Sequence, residues 1–273
     1  MDGLRRCRKS LVCGIAGVVA SLAITVSGAF AAGPCAALPT WSALQSALAS
    51  VAPASSGLGL NMWATVVDRD GIVCAVAFSG ANRGAQWPGS RVISAQKANT
   101  ANAFSLPGLA LSTANLYFAV QPGGSLFGLQ ESNPVDPDAA YKGPASLFGQ
   151  MADPMVGARI GGVNVFGGGL ALYNSSGTLV GGVGVSGDTS CTDHEVAWKL
   201  RHMLGLDYLA TAVAGGVAGG SRPDNMIQDI VFIAPAGQSA DPGHVTGVAT
   251  SLSGFGHPVC LANPDLGTLP AVQ

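Results

Sequence analysis

Residues 160–200 read IGGVNVFGGGLALYNSSGTLVGGVGVSGDTSCTDHEVAWKL. Leu170–Tyr173 is a short apolar run. Asn174-Ser175-Ser176-Gly177 is turn chemistry. Leu179–Val185 resumes with β-branched residues that alternate with glycine. The pattern predicts a β-hairpin. Ser186-Gly187-Asp188 ends its second strand. A helix follows, carrying Val196, Ala197, Leu200, Met203 and Leu204 at helical spacing, with Asp188, Ser190 or Thr192 as its cap. Gly181, Gly182 and Gly184 strip side chains from a strand interior. Such a strand holds only if something packs close to its backbone, a helix or a flat ligand.

Working outward, Pro39–Ala52 predicts an amphipathic helix capped by Thr40, with Trp41, Leu44, Leu48 and Val51 on one face. Asn61–Val67 and Ile72–Phe78 flank Asp68-Arg69-Asp70-Gly71, a strong hairpin signal. Arg91–Phe104 repeats small and apolar residues at helical spacing, and Pro107-Gly108 ends it. Residues 105–157 form a long insertion rich in Gly and Pro. Short helical turns are expected in it at Leu109–Ala119 and Ala145–Met151, because a structureless loop of that length is unusual. Beyond the hairpin and helix, Ala210–Ser221 reads as a flexible connection. Asp229–Ala234 and His244–Ser253 read as strands, the first at an edge, and the last residues as a loose tail. The order predicts an α+β fold, a mainly antiparallel sheet with helices packed on it.

The chain opens with Arg5, Arg6, Arg8 and Lys9, then Leu11–Ala32 without a charge. Ala29-Phe30-Ala31 has the small-x-small pattern of a cleavage site, so residues 1–32 read as a signal peptide and the protein as periplasmic or secreted. An uncleaved anchor is the competing reading; after cleavage no membrane segment is left. Residues 33–273 then form one domain, with a core of about 39–205, the insertion, and an extension of about 206–273. They hold 9 Lys+Arg against 14 Asp+Glu. That balance, with no basic patch, argues against nucleic acid as a partner. Four cysteines remain: Cys35, Cys74, Cys191 and Cys260. None forms a CxxC pair, and an even count in an exported chain points to two disulfides. Of three pairings, Cys35–Cys74 and Cys191–Cys260 is favoured.

Several stretches together resemble the GlcG/HbpS-like haem-binding family. VVDRDGIVCAVAFSGA is similar to that family's first hairpin. SAQKANTANAF carries its S-x-x-K-A-x-T-A-x-x-F helix pattern through Ser94, Lys97, Ala98, Thr100, Ala101 and Phe104. The 159–197 stretch is similar to its most recognisable part, a Gly-Gly element and a hairpin leading into Gly-x-Gly-Val-Ser-Gly and a helix. Asn164 stands in VNV where the family's proline follows the Gly pair, and the 105–157 insertion and the tail after Gly205 are extra. The resemblance implies a small α/β fold, homo-oligomers, and haem or another tetrapyrrole as ligand in some members.

No G-x-S-x-G, Walker A or H-E-x-x-H motif is present, so a binding protein is favoured over an enzyme. Haem iron takes an axial donor such as imidazole. His194, at the start of the helix, is the candidate axial ligand; against it stands an ordinary solvated helix-terminal residue. His257 would lie near it if Cys260 pairs with Cys191. His202 reads as a surface or helix C-terminal residue. Lys97, Thr100, Arg159, Gly161 and Gly162 are the candidates for a haem propionate or another small acid; against Lys97 stands a snorkelling surface lysine. Two further readings remain open. One is an enzyme or accessory handling a small carboxylate through Lys97, Arg159 and Asp193. The other is a structural oligomer without ligand.

Overall fold

The computed structural model describes residues 35–209, 216–233 and 248–273. The leader over 1–32 and the first half of Ala210–Ser221 lie outside the described residues. Helix α1 (Trp41–Val51) is capped by Thr40, whose Oγ1 accepts from Ala43 N–H. Strands β1 (Trp63–Asp68) and β2 (Val73–Phe78) form the first hairpin. The Asp68 carboxylate closes its turn by accepting from the backbone N–H of Asp70 and Ile72. Helix α2 (Ser90–Phe104) follows, then the insertion with a one-turn helix α3 (Pro137–Ala140). Strands β3 (Gly169–Tyr173) and β4 (Leu179–Ser186) form the second hairpin, and helix α4 (Ser190–Met203) leaves it.

The four strands make one antiparallel sheet in the order β2-β1-β4-β3. Both faces are covered, so the sheet is the middle of three layers. Because side chains alternate along a strand, Ala64 and Val66 of β1 join Val183 and Val185 of β4 against Leu44 and Leu48 of α1 and Val196 and Leu200 of α4. Trp63 and Val67 point the other way, toward Ala95 and Ala98 of α2. Thr65 also faces α2, and its hydroxyl meets that of Ser94 at 2.8 Å.

The strand glycines answer the question they raised. A Cβ on Gly184 would lie 1.9 Å from Ser94 O, and one on Gly182 would lie 2.3 Å from Ala98 O. The bare strip is therefore filled by the backbone of α2. That leaves no room for a flat ligand there.

Three expectations need correction. Helix α4 is capped by Thr189, whose Oγ1 accepts from Thr192 N–H, and not by Asp188, Ser190 or Thr192. The Asp188 carboxylate is engaged elsewhere, accepting from Leu58 and Leu60 N–H, which shifts the cap by one residue. The insertion holds 3₁₀ turns at Thr113–Leu116, Phe118–Val120 and Ala145–Leu147, at the expected places. Strand β5 (Ile230–Ile233) pairs with β6 (Val248–Ser251) in a ribbon of its own and does not extend the main sheet. The final residues are not loose. Leu269 is buried, Pro270 O accepts from the Trp198 indole, and Gln273 N–H donates to Asp207 O. A buried indole N–H requires an acceptor, and the tail supplies it.

Candidate functional site

Helix α2 carries Lys97 into the interior beside the end of β4. Lys97 is fully buried. Its ammonium donates to Asp193 Oδ2 at 2.7 Å and Val185 O at 3.0 Å, and lies 4.6 Å from the centre of the Phe166 ring. Asp193 Oδ1 accepts from Gly187 and Asp188 N–H. Asp193 thus ties α4 to the end of β4 and to α2. Burial lowers the Lys97 pKa, against the pull of Asp193. Burial likewise pushes Asp193 up to about 6, against Lys97 and the two backbone donors. Lys97 is neither a snorkelling lysine nor a group open to a ligand.

One turn along α2, Thr100 donates to Gln96 O and accepts from Asn164 N–H at 2.9 Å. Gly161 and Gly162 both have positive φ, +62° and +79°. Asn99 Nδ2 donates to Gly162 O, and a Cβ on Gly162 would meet the Gln96 side chain at 2.8 Å. The Gly pair is the turn that lays 163–166 across α2, and Thr100 and Asn99 pin it there. Arg159 is exposed, and its Nε donates to Asp70 O at the β1–β2 turn. That turn follows Asp68, which is paired with Gly181. Lys97 reaches Val185, next to the Trp63↔Ser186 pair. Five residues of strand, about 17 Å, separate the two ends. The structure therefore does not bring Arg159 together with Lys97 and Asp193.

His194 and His257 do meet the same end of the molecule. His194 is fully buried on α4, its ring 6.0 Å from that of Trp198. Its Nε2 lies 3.2 Å from Met226 N–H, which also donates to Asn225 Oδ1. Its Nδ1 has no partner among the described residues. Burial pushes its pKa down to about 3, with Arg201 and His257 adding to the fall and Asp224 opposing it. His257 donates from Nδ1 to Pro258 O at 2.7 Å and accepts at Nε2 from the Ser190 hydroxyl at 3.2 Å. Its ring packs on Tyr117 with centres 4.9 Å apart. Burial takes it down to about 4, and Lys97 adds to this. Both imidazoles are neutral at pH 7.

The C-terminal extension closes this end. Cys191 and Cys260 form one disulfide, and Cys35 and Cys74 the other, the favoured pairing. Cys191, Cys260 and His257 cluster as tightly as metal ligands do, but both sulfurs are spent in the disulfide. Arg201, at the far end of α4, holds Asp224 through a two-pronged ion pair of 2.6 and 2.9 Å, with both side chains fully buried. A matching pair, Arg91 with Asp153, anchors the insertion to α2. Sequence reading missed both pairs. The only signal was an arginine on each otherwise buried helix face; its partner lay 62 residues away in one case and 23 in the other.

An axial imidazole needs a ring nitrogen facing open space. His194 is wholly covered, and both ring nitrogens of His257 are partnered. As folded, neither fits an iron porphyrin, and His194 as axial ligand is the expectation the geometry corrects. What covers it is the extension, whose path was not legible from local pattern.

The family described as haem degrading protein HbpS-like matches residues 40–200. No curated protein matches the chain. Among solved structures, the chain is similar to PduOC in complex with heme, at 24% identity over 60% of this chain and 91% of that one, with a TM-score of 0.42. It is similar to Klebsiella pneumoniae protein ORFY, at 24% identity over 61% and 90%, with a TM-score of 0.42. It is also similar to HbpS, at 20% identity over 61% and 90%, with a TM-score of 0.40.

Proposed function

The chain belongs to the HbpS-like family, and from that premise we propose that it is an exported protein that binds haem or a related tetrapyrrole. Membership over residues 40–200, which span the whole sheet and all but the end of α4, is the observation that carries the reading. Export through a cleaved leader over 1–32 belongs to the same proposal. The two disulfides support it, since such bonds persist in oxidising compartments. Among the described residues no helix is long and apolar enough to cross a membrane. Residues 33–273 act as one domain, and self-association into a homo-oligomer is part of the reading.

The small-carboxylate alternative has less behind it. Its three groups, Lys97, Arg159 and Asp193, are divided between a buried ion pair and an exposed turn at the other end of the sheet. The test is a titration of the full, oxidised chain with ferric haem, with oligomeric mass recorded in the same sample. A saturable Soret shift at one haem per chain is expected. Diffuse, non-saturating absorbance would sink the reading, and thermal stabilisation by small carboxylic acids without any response to haem would replace it.

A further inference from the structure

The start of α4 and the extension meet at the Cys191–Cys260 disulfide, and the groups around it are those of a metal site. The ligand atoms of Cys191, Cys260 and His257 all lie within 4.8 Å of one another. His257 is oriented as metal-ligating histidines are, with Nδ1 donating to a backbone carbonyl, Pro258 O, at 2.7 Å. A carbonyl only accepts, so that bond fixes the tautomer and puts the lone pair on Nε2. Nε2 and Cys260 Sγ both meet the Ser190 hydroxyl, at 3.2 and 3.4 Å, so the lone pair lies on the sulfur side of the ring.

Both sulfurs also have hydrogen-bond donors. Cys191 N–H lies 3.2 Å from Cys260 Sγ, and Gln228 Nε2 lies 3.4 Å from Cys191 Sγ. Cys191 stands on the first turn of α4, where the helix dipole favours negative charge. A neutral disulfide gains little from such donors, whereas a pair of thiolates gains much. The other disulfide lacks this setting. Its neighbouring ligand, the Asp68 carboxylate, already closes the β1–β2 turn.

The bridge opens from one side. Val259 and Leu261 are 64% and 76% exposed, so Cys260 sits on a surface stretch of the tail, while Cys191 is fully buried. A dithiol reductant attacks Cys260 Sγ, the sulfur–sulfur bond breaks, and Cys191 leaves as a thiolate. The reductant's second thiolate then closes on its own sulfur in the mixed disulfide and releases Cys260 as a thiolate. Two electrons pass to the protein, and the reductant departs as a cyclic disulfide. Two thiolates and an imidazole select zinc-class ions over magnesium or calcium. We propose that reduction of Cys191–Cys260 turns this corner into a binding site for one thiophilic divalent cation of the zinc class, held by Cys191 Sγ, Cys260 Sγ and His257 Nε2. The Ser190 hydroxyl gives up Nε2 and holds a water in the fourth tetrahedral position, the pattern of an open zinc site. His257 and Cys260 lie beyond residues 40–200, so the site depends on the chain's own extension, and it stands independently of the haem-binding reading.

The test uses the full chain with Cys7, Cys13, Cys35 and Cys74 changed to Ser, so that only the proposed pair supplies thiols. It is reduced with a phosphine, desalted under nitrogen, and titrated with Co²⁺ and then with Zn²⁺. The reduced chain is expected to bind one cobalt, with thiolate-to-cobalt charge-transfer absorption and the visible spectrum of a tetrahedral ion. Zinc should displace the cobalt and raise Tm. The oxidised chain should bind neither ion. His257→Ala, and Cys260→Ser, which differs from the reduced chain only by oxygen for sulfur, should each weaken cobalt by about tenfold or more. In the wild type with every cysteine reduced, His257→Ala should remove one cobalt equivalent, which covers the case of a serine background that does not fold. The inference falls if the oxidised chain binds cobalt as well as the reduced one, or if the reduced chain shows no saturable absorption. It falls equally if thiolate absorption survives His257→Ala unweakened in both backgrounds, as it would for loose thiols in an unfolded chain.

Discussion

His194 and His202 lie two turns apart on the same helix, yet they are chemically opposite. His194 is fully buried with one ring nitrogen facing a backbone donor, while His202 is part-exposed with a carboxylate behind it and a groove in front. Helical position does not separate them, since residues eight apart fall on roughly the same side. The difference lies in what crosses above each. The extension, fastened by Cys191–Cys260 and Arg201–Asp224, covers His194 and Arg201 and leaves His202 and Met203 part-exposed. A histidine's availability is thus set by a segment distant in sequence.

The contrast can be broken most forcefully at Arg201–Asp224. Asp224→Ala leaves a guanidinium buried without its partner, which should cost about 3–5 kcal/mol. Urea unfolding measures it, and a loss under about 1 kcal/mol would mean that this pair does not hold the cover. Replacing Cys191 and Cys260 together by Ser frees a loop whose ends are 69 residues apart. A loss of about 4 kcal/mol is expected from the added chain entropy of the unfolded state. In that variant the His194 ring should titrate nearer its ordinary value by NMR.

Acid sharpens the same comparison. His194 and His257 are held down to about 3 and about 4, below the unfolded value of 6.5. Between those limits the unfolded chain binds protons that the folded chain refuses. Their contribution is therefore present in full above pH 6.5 and lost as pH falls toward 4. The two rings take away about 5 kcal/mol from pH 7 to pH 4.5, and Asp193, raised to about 6, returns about 2 kcal/mol over the same range, so stability should drop by about 3 kcal/mol. A flat profile of urea midpoints over that range would show that the two rings are not buried neutral. The smallest effect belongs to His202→Ala, which removes the ring that pairs with the buried Asp207 carboxylate and should cost about 1–3 kcal/mol. A loss under about 0.5 kcal/mol by urea unfolding would mean that the ring does not hold Asp207.

The fold was largely legible because its signals are local. Asp68-Arg69-Asp70-Gly71 and Asn174–Gly177 announce hairpins, Thr40 announces a helix start, and the bare Gly182–Gly184 strand announces a close neighbour, which is α2. The Ser94–Phe104 pattern is legible for the same reason. Ser94 meets Thr65, Lys97 meets Asp193 and Thr100 meets Asn164, so each polar position answers a partner within the sheet-and-helix core. Those residues look functional in sequence because they are polar on a buried face. The structure uses them as fastenings.

The site was less legible. Lys97 and Asp193 were both marked, but not as partners 96 residues apart. Arg159 was grouped with them although strand length holds it at the other end. His202 was passed over, because nothing near it in sequence says that Asp207 turns back beneath its ring across Gly205.

By itself the sequence determined the strands, the helices, their order, the antiparallel sheet and the family, since each rests on periodicity, turn chemistry or short motifs within a few tens of residues. Only the tertiary structure decided which histidine is covered and which is open, which ions are paired, and where the last residues go. Those outcomes depend on desolvation, and desolvation is set by whichever segment closes over a group, however far along the chain it lies.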